Sequence, residues 1–385
     1  MFKRALHVEP LVEQRSLFLF GPRQTGKTTL LKDQFPDAVY YDLNRMDTFR
    51  QLTARPELIR QQLAPRRDKV VIIDEIQKLP SLLNEVQVML DSRPHLRFIL
   101  TGSSARSLRR GGVNLLGGRA RICRLHPLVS VETGPELLDR RLAYGSLPPI
   151  LTSTNPEEDL EAYAGAYLEH EIRAEGLVRS IETFSRFLEV AALCNGQILN
   201  FTEIGSDAGV PPRTVREHFQ LLEDTLVGHQ VPAYRKTVKR KPVATAKFYF
   251  FDVGVARHLG RRSVPKRGSA EWGLALEHLI YLELLAWLSY RRLRQPLCYW
   301  RSRGQVEVDF VIGDAMAIEV KAATNVQERH LSGLRALAED VRLLTRVVIS
   351  LEPIARRTPD AIDILPLDEF LQRLWSGGFD QALRG

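Results

Sequence analysis

The residues with the clearest chemistry lie near the amino terminus. The segment 21–28 has two glycines separated by four residues, then a lysine and a threonine, which is the G-x-x-x-x-G-K-[ST] pattern. Its glycines let backbone amides turn inward around phosphates, and the helix that follows adds partial positive charge. Lys27 is expected to reach the β- and γ-phosphates and Thr28 to ligate Mg²⁺. The predicted nucleotide-binding residues are Gly21, Pro22, Arg23, Gln24, Thr25, Gly26, Lys27, Thr28 and Thr29.

Two acidic residues follow a later apolar run. The run 70–73 ends in Asp74 and Glu75. A buried parallel strand delivers its last residues to the carboxyl edge of the sheet, which is where phosphates bind. Asp74 is therefore expected to hold the water shell of Mg²⁺, and Glu75 to polarise the attacking water.

Hydroxyl groups end a third apolar run. Thr101-Gly102-Ser103-Ser104 follows residues 98–100, and Ser103 or Ser104 is placed to sense the γ-phosphate by a hydrogen bond. The sequence does not choose between the two serines. An N-cap for the next helix is the alternative role.

Fast hydrolysis also needs an arginine that stabilises the charge of the transition state. Arg119 follows a glycine-rich turn and is the candidate, acting toward a neighbouring subunit. A plain surface arginine is the alternative interpretation. The rival candidates are Arg106, Arg109 and Arg110.

Short apolar runs alternate with helical segments around these residues. We predict strands at 17–20, 39–42, 70–73, 98–100 and 120–125, and a helix over 27–35. This alternation is typical of a parallel α/β sheet, which collects the motif-bearing strand ends at one edge.

Composition bounds the class of protein. The chain has 385 residues, 44% hydrophobic and 26% charged, which suits two or three globular domains and excludes disordered, collagenous and coiled-coil chains. The longest apolar stretch, 279–290, contains Glu283 and is shorter than the ~18 residues of a membrane helix. The amino terminus lacks the apolar core of a signal peptide. Three distant cysteines favour a reducing cytoplasm, so we expect a cytoplasmic protein without membrane segments.

Positive charge is concentrated in one segment. The net charge is +8, but residues 235–267 contain eleven lysines and arginines against the single acid Asp252, so the rest of the chain sums to −2. Such a concentration suggests a polyanion partner. A solvated charged loop is the alternative.

The middle of the chain has the sequence pattern of a helix-turn-helix. Asn200 is expected to cap a short helix and Pro212 to open a second one after a turn. Two β-like runs, 228–234 and 247–253, would then form a wing around the basic tip 235–241. The expected small core consists of Ile204, Ala208, Val210, Val215, Phe219 and Leu222.

A winged helix at this place would contact DNA through phosphates. A lid or an interdomain brace is the alternative, since Glu217, Glu223 and Asp224 make the second helix poorly basic. The predicted nucleic-acid contacts are Arg213, Arg216, Arg235, Lys236, Lys239, Arg240 and Lys241.

Carboxylates recur near the carboxyl end. The segments 306–312 and 316–321 are predicted to form two strands joined by a Gly-Asp turn, with Asp309 opposite Glu319 and Lys321. Glu277 precedes them in a long predicted helix, 271–288. This layout resembles the PD-(D/E)xK nuclease core, which implies Mg²⁺ between carboxylates and a lysine that orients the attacking water. A nuclease-like fold used only for packing or binding is the alternative.

Residues 13–132 resemble the AAA+ ATPase domain of a large prokaryotic family, the AAA_14 type. In that family a P-loop, an Asp-Glu-Ile-Gln motif and a Thr-Gly-Ser-Ser motif recur in order, here at 21–28, 74–77 and 101–104. Gly118-Arg119 and Pro127-Leu128 are also similar. The remainder resembles its partner domain, DUF4143. The resemblance implies ATP and Mg²⁺ as cofactors and ATP hydrolysis as the activity.

We therefore expect an α/β protein with a P-loop AAA+ parallel sheet, then a helical and winged-helix segment, then an α/β restriction-endonuclease-like domain. The expected domains are 1–135, the ATPase; 136–184, a helical linker or lid; 185–255, the winged helix; and 256–385, the nuclease-like domain. The leading functional hypothesis couples ATP hydrolysis to remodelling or translocating DNA as a homo-oligomer, for which a hexameric ring is one form. The alternatives are a nucleotide-gated switch that binds a protein partner and an ATP-gated, metal-dependent nuclease.

Overall fold

A computed structural model describes residues 2–65, 69–103, 116–167 and 180–383. The chain divides into two compact units. The amino-terminal unit comprises Lys3–Pro127 and Asp224–Val227; the carboxy-terminal unit comprises Leu128–Glu223 and Gly228–Gly385 with Met1–Phe2. The finer domain bounds given above stay a prediction.

The amino-terminal unit is built on a five-stranded parallel sheet with the strand order β2-β3-β4-β1-β5. Phe20 pairs with Gly102, and Asp42 with Asp74, so the motif-bearing strand ends lie at one edge. The elements are α1 (Glu9–Gln14), β1 (Ser16–Phe20), α2 (Lys27–Gln34), β2 (Val39–Asp42), α3 (Met46–Ala54), α4 (Leu58–Leu63), β3 (Val70–Asp74), α5 (Leu82–Ser92), β4 (Arg97–Gly102) and β5 (Ala120–Arg124), with short 3₁₀ turns at Ile76–Lys78 and Leu116–Gly118.

This sheet is covered on both faces, which explains its continuous apolar strands. All five residues of β1 and the last four of β3 are buried. The core includes Phe18, Ile73, Phe98 and Leu100, with Val86 from α5 packed among them. The five strands predicted for this part of the chain are confirmed, with bounds shifted by one or two residues.

The carboxy-terminal unit begins with a helical region. Its helices are α6 (Ser130–Thr133), α7 (Leu138–Tyr144), α8 (Pro148–Thr152), α9 (Pro156–Ala162), α10 (Ile181–Leu193), α11 (Phe201–Ala208) and α12 (Pro212–Asp224), with a 3₁₀ turn at Pro135–Leu137 and a π-helical turn at Tyr163–Tyr167. The two-stranded antiparallel sheet of β6 (Gly228–Val231) and β7 (Lys247–Phe250) follows.

Helices α10 to α12 and this hairpin occupy the part of the chain for which a winged helix is predicted. The Asn200 side chain accepts hydrogen bonds from the amides of Thr202 and Glu203, as its predicted N-cap role requires. The aromatic ring of Phe219 packs against the rings of Phe187 and Phe248, with centroids 5.0 and 4.8 Å apart. Of the predicted core residues all are buried except Val210, which is half-buried.

The connection between β6 and β7 does not project as the predicted wing. It runs along the edge of the carboxy-terminal sheet, where the amide of Tyr234 donates to the Tyr299 carbonyl at 2.7 Å and the amide of Val243 to the Arg301 carbonyl at 2.8 Å. We call residues 232–246 the basic strap. Backbone pairing to an otherwise open sheet edge holds this segment in place.

A mixed six-stranded sheet with the order β12-β13-β11-β10-β9-β8 completes the unit. The first hairpins are antiparallel, whereas β10, β11 and β13 are parallel. The elements are α13 (Val253–Leu259), α14 (Ala270–Tyr290), β8 (Leu297–Arg301), β9 (Glu307–Ile312), β10 (Met316–Val320), α15 (Ser332–Ala338), β11 (Thr345–Ser350), β12 (Arg356–Arg357), β13 (Asp363–Pro366), α16 (Leu367–Ser376) and α17 (Asp380–Leu383), with a 3₁₀ turn at Glu328–Leu331.

The long helix α14 lies in the core of this unit and buries residues on all sides, including Trp272 and Trp287. Its one acid within the apolar stretch, Glu283, is fully buried and accepts hydrogen bonds from the Ser130 amide (2.7 Å), from Arg141 (2.6 Å) and from the Trp375 indole (2.7 Å). These donors supply the compensation that a buried carboxylate requires. Within the described ranges, no helix combines the length and hydrophobicity of a membrane crossing.

Asp252 caps α13 from a fully buried position, where it accepts from the amides of Ser146 (2.6 Å) and Val255 (3.0 Å). Burial, partly opposed by these hydrogen bonds, raises the pKa of Asp252 from 3.8 to about 6. Because the folded state holds this proton more tightly than the unfolded state, the group stabilises the fold fully below pH ~4, and that contribution is lost as the pH rises through about 6.

We therefore predict that the difference in the free energy of unfolding between the native chain and Asp252→Asn falls as the pH increases from 4 to 7. Urea unfolding at four pH values measures it. Asp159→Asn, at an exposed position of α9, is the control for loss of an acid. A difference that stays level over this range would contradict the assignment.

Candidate functional site

The phosphate loop between β1 and α2 is closely packed. Gly26, with φ of 90°, forms the N-cap of α2 in a conformation that favours glycine. A Cβ on Gly21 would lie 2.4 Å from the Leu125 carbonyl oxygen, so the start of the loop has no room for a side chain. The buried Lys27 ammonium donates to the carbonyls of Gly21 (2.7 Å) and Pro22 (3.1 Å), and the loop therefore curls around its own lysine.

A buried arginine from the amino-terminal segment fixes this loop from behind. The Arg4 guanidinium donates to the Thr25 carbonyl at 2.5 Å and to the His126 carbonyl at 2.7 Å. It thus ties the loop to the chain that leaves β5. No motif predicts this role, because Arg4 stands outside all of the motifs described above.

Asp74 is the centre of a hydrogen-bonded group at the carboxyl edge of the sheet. Its carboxylate accepts from the Thr28 hydroxyl at 2.8 Å, and from the hydroxyls of Tyr40 and Thr101. Asp74 is 2% exposed. Burial, and then the hydrogen bond and charge of Asp74, raise the pKa of Tyr40 well above its ordinary value, so Tyr40 stays a donor.

The pairing of Thr28 with Asp74 fits a magnesium ion, which prefers hydroxyl, carboxylate and water oxygens. These two residues would hold Mg²⁺, which when bound neutralises phosphate charge. The sequence analysis missed Tyr40. The sequence signal that could have identified it is its position on β2, the strand next to the one that ends in the two acids.

Glu75 lies in the left-handed region, with φ of 61°, a conformation uncommon outside glycine that marks functional turns. Its amide donates to the Thr101 hydroxyl at 3.1 Å. Its carboxylate accepts from the Gln77 amide at 2.5 Å, and the same amide lies 3.5 Å from the Ser103 hydroxyl. The Asp-Glu-Ile-Gln and Thr-Gly-Ser motifs therefore contact each other directly.

The structure brings Thr28, Asp74, Glu75 and Ser103 into one connected group, which Thr101 and Gln77 complete. Ser104 lies outside the described residues, as do the candidate arginines Arg106, Arg109 and Arg110. Arg119 is described, and its guanidinium pairs with Asp91 at 2.9 Å on an exposed surface. Within its own chain, Arg119 thus contacts α5 and not the phosphate loop.

The carboxy-terminal candidates form a second cluster. Lys321 lies 2.6 Å from Glu319 and 3.9 Å from Asp309, on adjacent strands as predicted. The Asp309 carboxylate also accepts from the Val320 amide at 2.8 Å. Glu277, on α14, accepts from the Tyr249 hydroxyl at 2.5 Å.

A second lysine, which the sequence analysis did not single out, lies among these acids. The Lys247 ammonium contacts Glu307 at 2.5 Å and Glu277 at 3.4 Å, and it lies 5.4 Å from the centre of the Tyr299 ring. Lys247 is 4% exposed. Burial lowers its pKa, but the charges of Glu277, Asp309 and Glu307 outweigh burial, so the lysine stays charged.

The acids of this cluster are close enough to raise one another's pKa. Burial and the charge of Asp309 raise the pKa of Glu319 to about 8, and the nearby Lys321 ammonium partly opposes this rise. Burial and Asp309 also raise the pKa of Glu277. Among the described residues, no group of three or more His, Cys, Asp or Glu side chains is arranged to hold a metal. Two lysines, Lys247 and Lys321, supply the positive charge of this cluster.

The basic residues predicted to contact DNA are mostly engaged within the chain. Lys236 pairs with Asp314 at 2.5 Å and Arg240 with Glu339 at 3.0 Å. The Lys239 ammonium donates to the Glu339 carbonyl, and Arg235 to the Ala244 carbonyl. These contacts hold the basic strap against the sheet.

Three of the predicted contacts are more open. Arg213 is 90% exposed and pairs with Glu217 one helical turn away, an arrangement of little energetic weight. Arg216 stacks over the Phe201 ring at 5.0 Å. Lys241 is exposed, and its side chain has no ion pair among the described residues.

Removing the buried lysine tests the cluster. We predict that Lys247→Met destabilises the chain by about 3–5 kcal/mol, because it leaves buried carboxylates without their counter-ion. Lys236→Met, which breaks an exposed pair in the same segment, should cost under about 1 kcal/mol. Denaturant unfolding measures both, and equal losses would show that Lys247 is not the counter-ion.

Comparison with protein families divides the chain into three parts. Residues 13–133 match the family described as AAA domain, AAA_14. Residues 135–266 match a domain of unknown function, DUF8612, and residues 272–370 match another, DUF4143. The DUF4143 match is therefore shorter than the resemblance suggested, since a separate family model covers the middle. No curated protein matches the chain.

Solved structures give only distant likenesses. A structure titled "Replication initiator DnaA bound to AMPPCP and single-stranded DNA" is 13% identical over 56% of this chain and 86% of that one, with a TM-score of 0.30. A STAND protein with a tetratricopeptide repeat sensor from Pyrococcus horikoshii is also 13% identical, over 75% of this chain and 47% of that one, with a TM-score of 0.22. At these scores neither bears on activity. Along the chain, the match to the AAA domain family AAA_14 covers the parallel sheet and its phosphate loop, and the matches to DUF8612 and DUF4143 follow it in that order.

Proposed function

We propose that the chain binds ATP with Mg²⁺ at the edge of its parallel sheet and hydrolyses it. The observation that carries this proposal is the bond between the Thr28 hydroxyl and Asp74, because it joins the phosphate loop to the acidic strand end. The AAA family match supports the same activity.

Each side chain of the site has a role that its position allows. Lys27, at the start of α2, would bind the β- and γ-phosphates in place of its contacts with the loop carbonyls. Glu75, oriented by Gln77, would accept a proton from the attacking water or orient it. Through its contact with the Gln77 amide, the Ser103 hydroxyl would respond to changes in the position of the Glu75 carboxylate. Arg119 would act in a neighbouring subunit of a homo-oligomer.

Two substitutions test this site. Lys27→Ala should abolish tight ATP binding, because the loop loses its phosphate-binding ammonium, whereas Glu75→Gln should keep binding and lower the hydrolysis rate by 10²-fold or more. Equilibrium binding of a fluorescent ATP analogue and a phosphate-release assay measure the two effects.

The control is Lys78→Ala, which removes an exposed lysine outside the loop. Tight binding that survives Lys27→Ala, or hydrolysis unchanged in Glu75→Gln, would place the reaction elsewhere.

We further propose that ATP hydrolysis is coupled to remodelling or translocating DNA, and that this takes place in the cytoplasm. The predicted winged helix and the open residues Arg213 and Lys241 support this role. The internal pairing of the other basic residues leaves few cations for phosphate, so a modest affinity is expected. A nucleotide-gated switch that binds a protein partner is the alternative.

Salt dependence separates the two. DNA should stimulate the ATPase, and log K should fall against log[salt] with a slope of about −0.9 for each phosphate contacted. Arg213→Gln with Lys241→Gln should reduce that slope, and Lys236→Gln, at a paired lysine, should change it less. A lack of stimulation by single-stranded, duplex or branched DNA would favour the switch.

An ATP-gated nuclease remains the third hypothesis. The arrangement of Asp309, Glu319 and Lys321 on adjacent strands is what favoured it. Lys321 belongs to that arrangement, whereas Lys247 already offsets the charge of Glu277 and Glu307, so we assign no cleavage step to this cluster.

A further inference from the structure

A basic cavity of about 590 Å³ lies within the carboxy-terminal unit. Its walls are α9, the π-helical turn after it, α10, α13 and the loop that follows α13. All its lining residues fall within 135–266, the part that matches DUF8612. The volume lies within the range of small-molecule sites, ~300–1,000 Å³. None of the sites described above uses this cavity.

Its lining is dominated by arginine. Among the residues that the structure describes, four arginines line it against two acids, Glu157 and Glu189; the arginines are Arg186, Arg257, Arg261 and Arg262. None of its described lining residues has an aromatic carbon ring. Recognition in such a cavity would rest on charge and on hydrogen bonds from guanidinium groups.

Two of the arginines are engaged by the two acids. Arg257 pairs with Glu157 at 2.5 Å and Arg261 with Glu189 at 3.0 Å. Once these pairs are formed, neither acid offsets the charge of Arg186 or Arg262. The carboxylate partner of Arg186 is Glu182 at 3.5 Å, which is 87% exposed and does not line the cavity.

Arg262 makes no ion pair among the described residues. Its guanidinium donates instead to the Leu193 carbonyl at 2.6 Å, at the end of α10. It keeps further N–H groups for a ligand, since a guanidinium has five donors. Cations often stabilise the carboxyl end of a helix dipole. Arg186 lies on α10, so the dipole of α13 does not explain why Arg186 lines the cavity.

The loop that carries Arg262 is held rigidly. The buried Arg257 guanidinium donates to the Arg262 carbonyl at 3.0 Å and to the Ala143 carbonyl at 2.7 Å. The Arg262 amide donates in turn to the Arg257 carbonyl at 3.0 Å. The N–H groups of the buried Arg257 thus hold the rim of the cavity in place. A binding site needs such preorganisation.

We propose that this cavity binds the phosphate groups of a small molecule through Arg186 and Arg262. Guanidinium groups bind phosphate bidentately, and two of them in one concave site suit a di- or triphosphate. The source is either a nucleoside triphosphate or an inorganic polyphosphate. The site is separate from the phosphate loop, and it does not depend on the function proposed for that loop.

The test uses the full chain with Lys27→Ala, which removes the lysine of the phosphate loop. Inorganic tripolyphosphate and ATP are titrated separately by calorimetry. Each is expected to bind, and Arg186→Gln with Arg262→Gln should weaken both at least tenfold. Arg294→Gln with Arg303→Gln, at exposed arginines that do not line the cavity, removes the same charge and should change binding less than twofold.

The arms of the experiment separate the outcomes. Equal affinities for the two probes indicate recognition of phosphates alone, and tighter binding of ATP indicates further contacts to the nucleoside; both support the site. The proposal is overturned if the chain with Arg186→Gln and Arg262→Gln melts at the native temperature and yet binds both probes as tightly as the control chain. It is also overturned by binding of neither probe, or by a loss confined to an added DNA oligonucleotide, which would make the surface a nucleic-acid contact.

Discussion

The amino-terminal site depends on the burial of one carboxylate. Asp74 sits at the end of a strand that is covered on both faces, so its charge is removed from water and must be compensated by donors. Three hydroxyls provide them, from α2, β2 and β4. Each of those elements is therefore anchored at the same edge of the sheet. The strand order places β2 and β4 on either side of β3, so that a hydroxyl from each neighbour reaches the same carboxylate. The backbone of Glu75 turns into the left-handed region immediately afterwards, and its strain is held by the Thr101 and Gln77 contacts.

The carboxy-terminal cluster meets the same electrostatic requirement in another way. There lysine ammonium groups contact the acids, and burial with the charge of Asp309 raises the pKa of Glu319. Hydroxyl donors leave room for a cation to be added beside the carboxylate, whereas an ammonium group already fills that role. This difference separates the two acidic sites more clearly than their sequences do, since both consist of acids at strand ends.

The sequence predicts local chemistry better than long-range pairing. The phosphate loop, the two acids and the order of strands follow from spacing and hydrophobic runs, because these signals lie within a few residues of each other. Arg4, Tyr40 and Lys247 escaped prediction because their partners lie far along the chain. Strand β12 is a pair of exposed arginines at a sheet edge, without any apolar alternation to reveal it. Helix α16 was not predicted, although its sequence shows helical spacing of apolar residues. These residues share one helical face and are buried: Leu367, Phe370, Leu371 and Leu374.

The concentrated positive charge of residues 235–267 shows why composition alone is a poor guide to a polyanion partner. In the basic strap, Lys236 and Arg240 pair with Asp314 and Glu339, and Lys247 is enclosed by the acidic cluster. The acids of the remaining chain are thus used as counter-ions, which is consistent with a remainder that sums to −2. What is left for an external anion is the charge that internal pairs do not cancel. By that criterion the residues left for an external anion are Lys241 of the strap and, on the proposed concave site, Arg262 together with Arg186, whose pair with the exposed Glu182 carries little energetic weight. The location of uncompensated charge, which only the folded chain reveals, decides where a polyanion can bind.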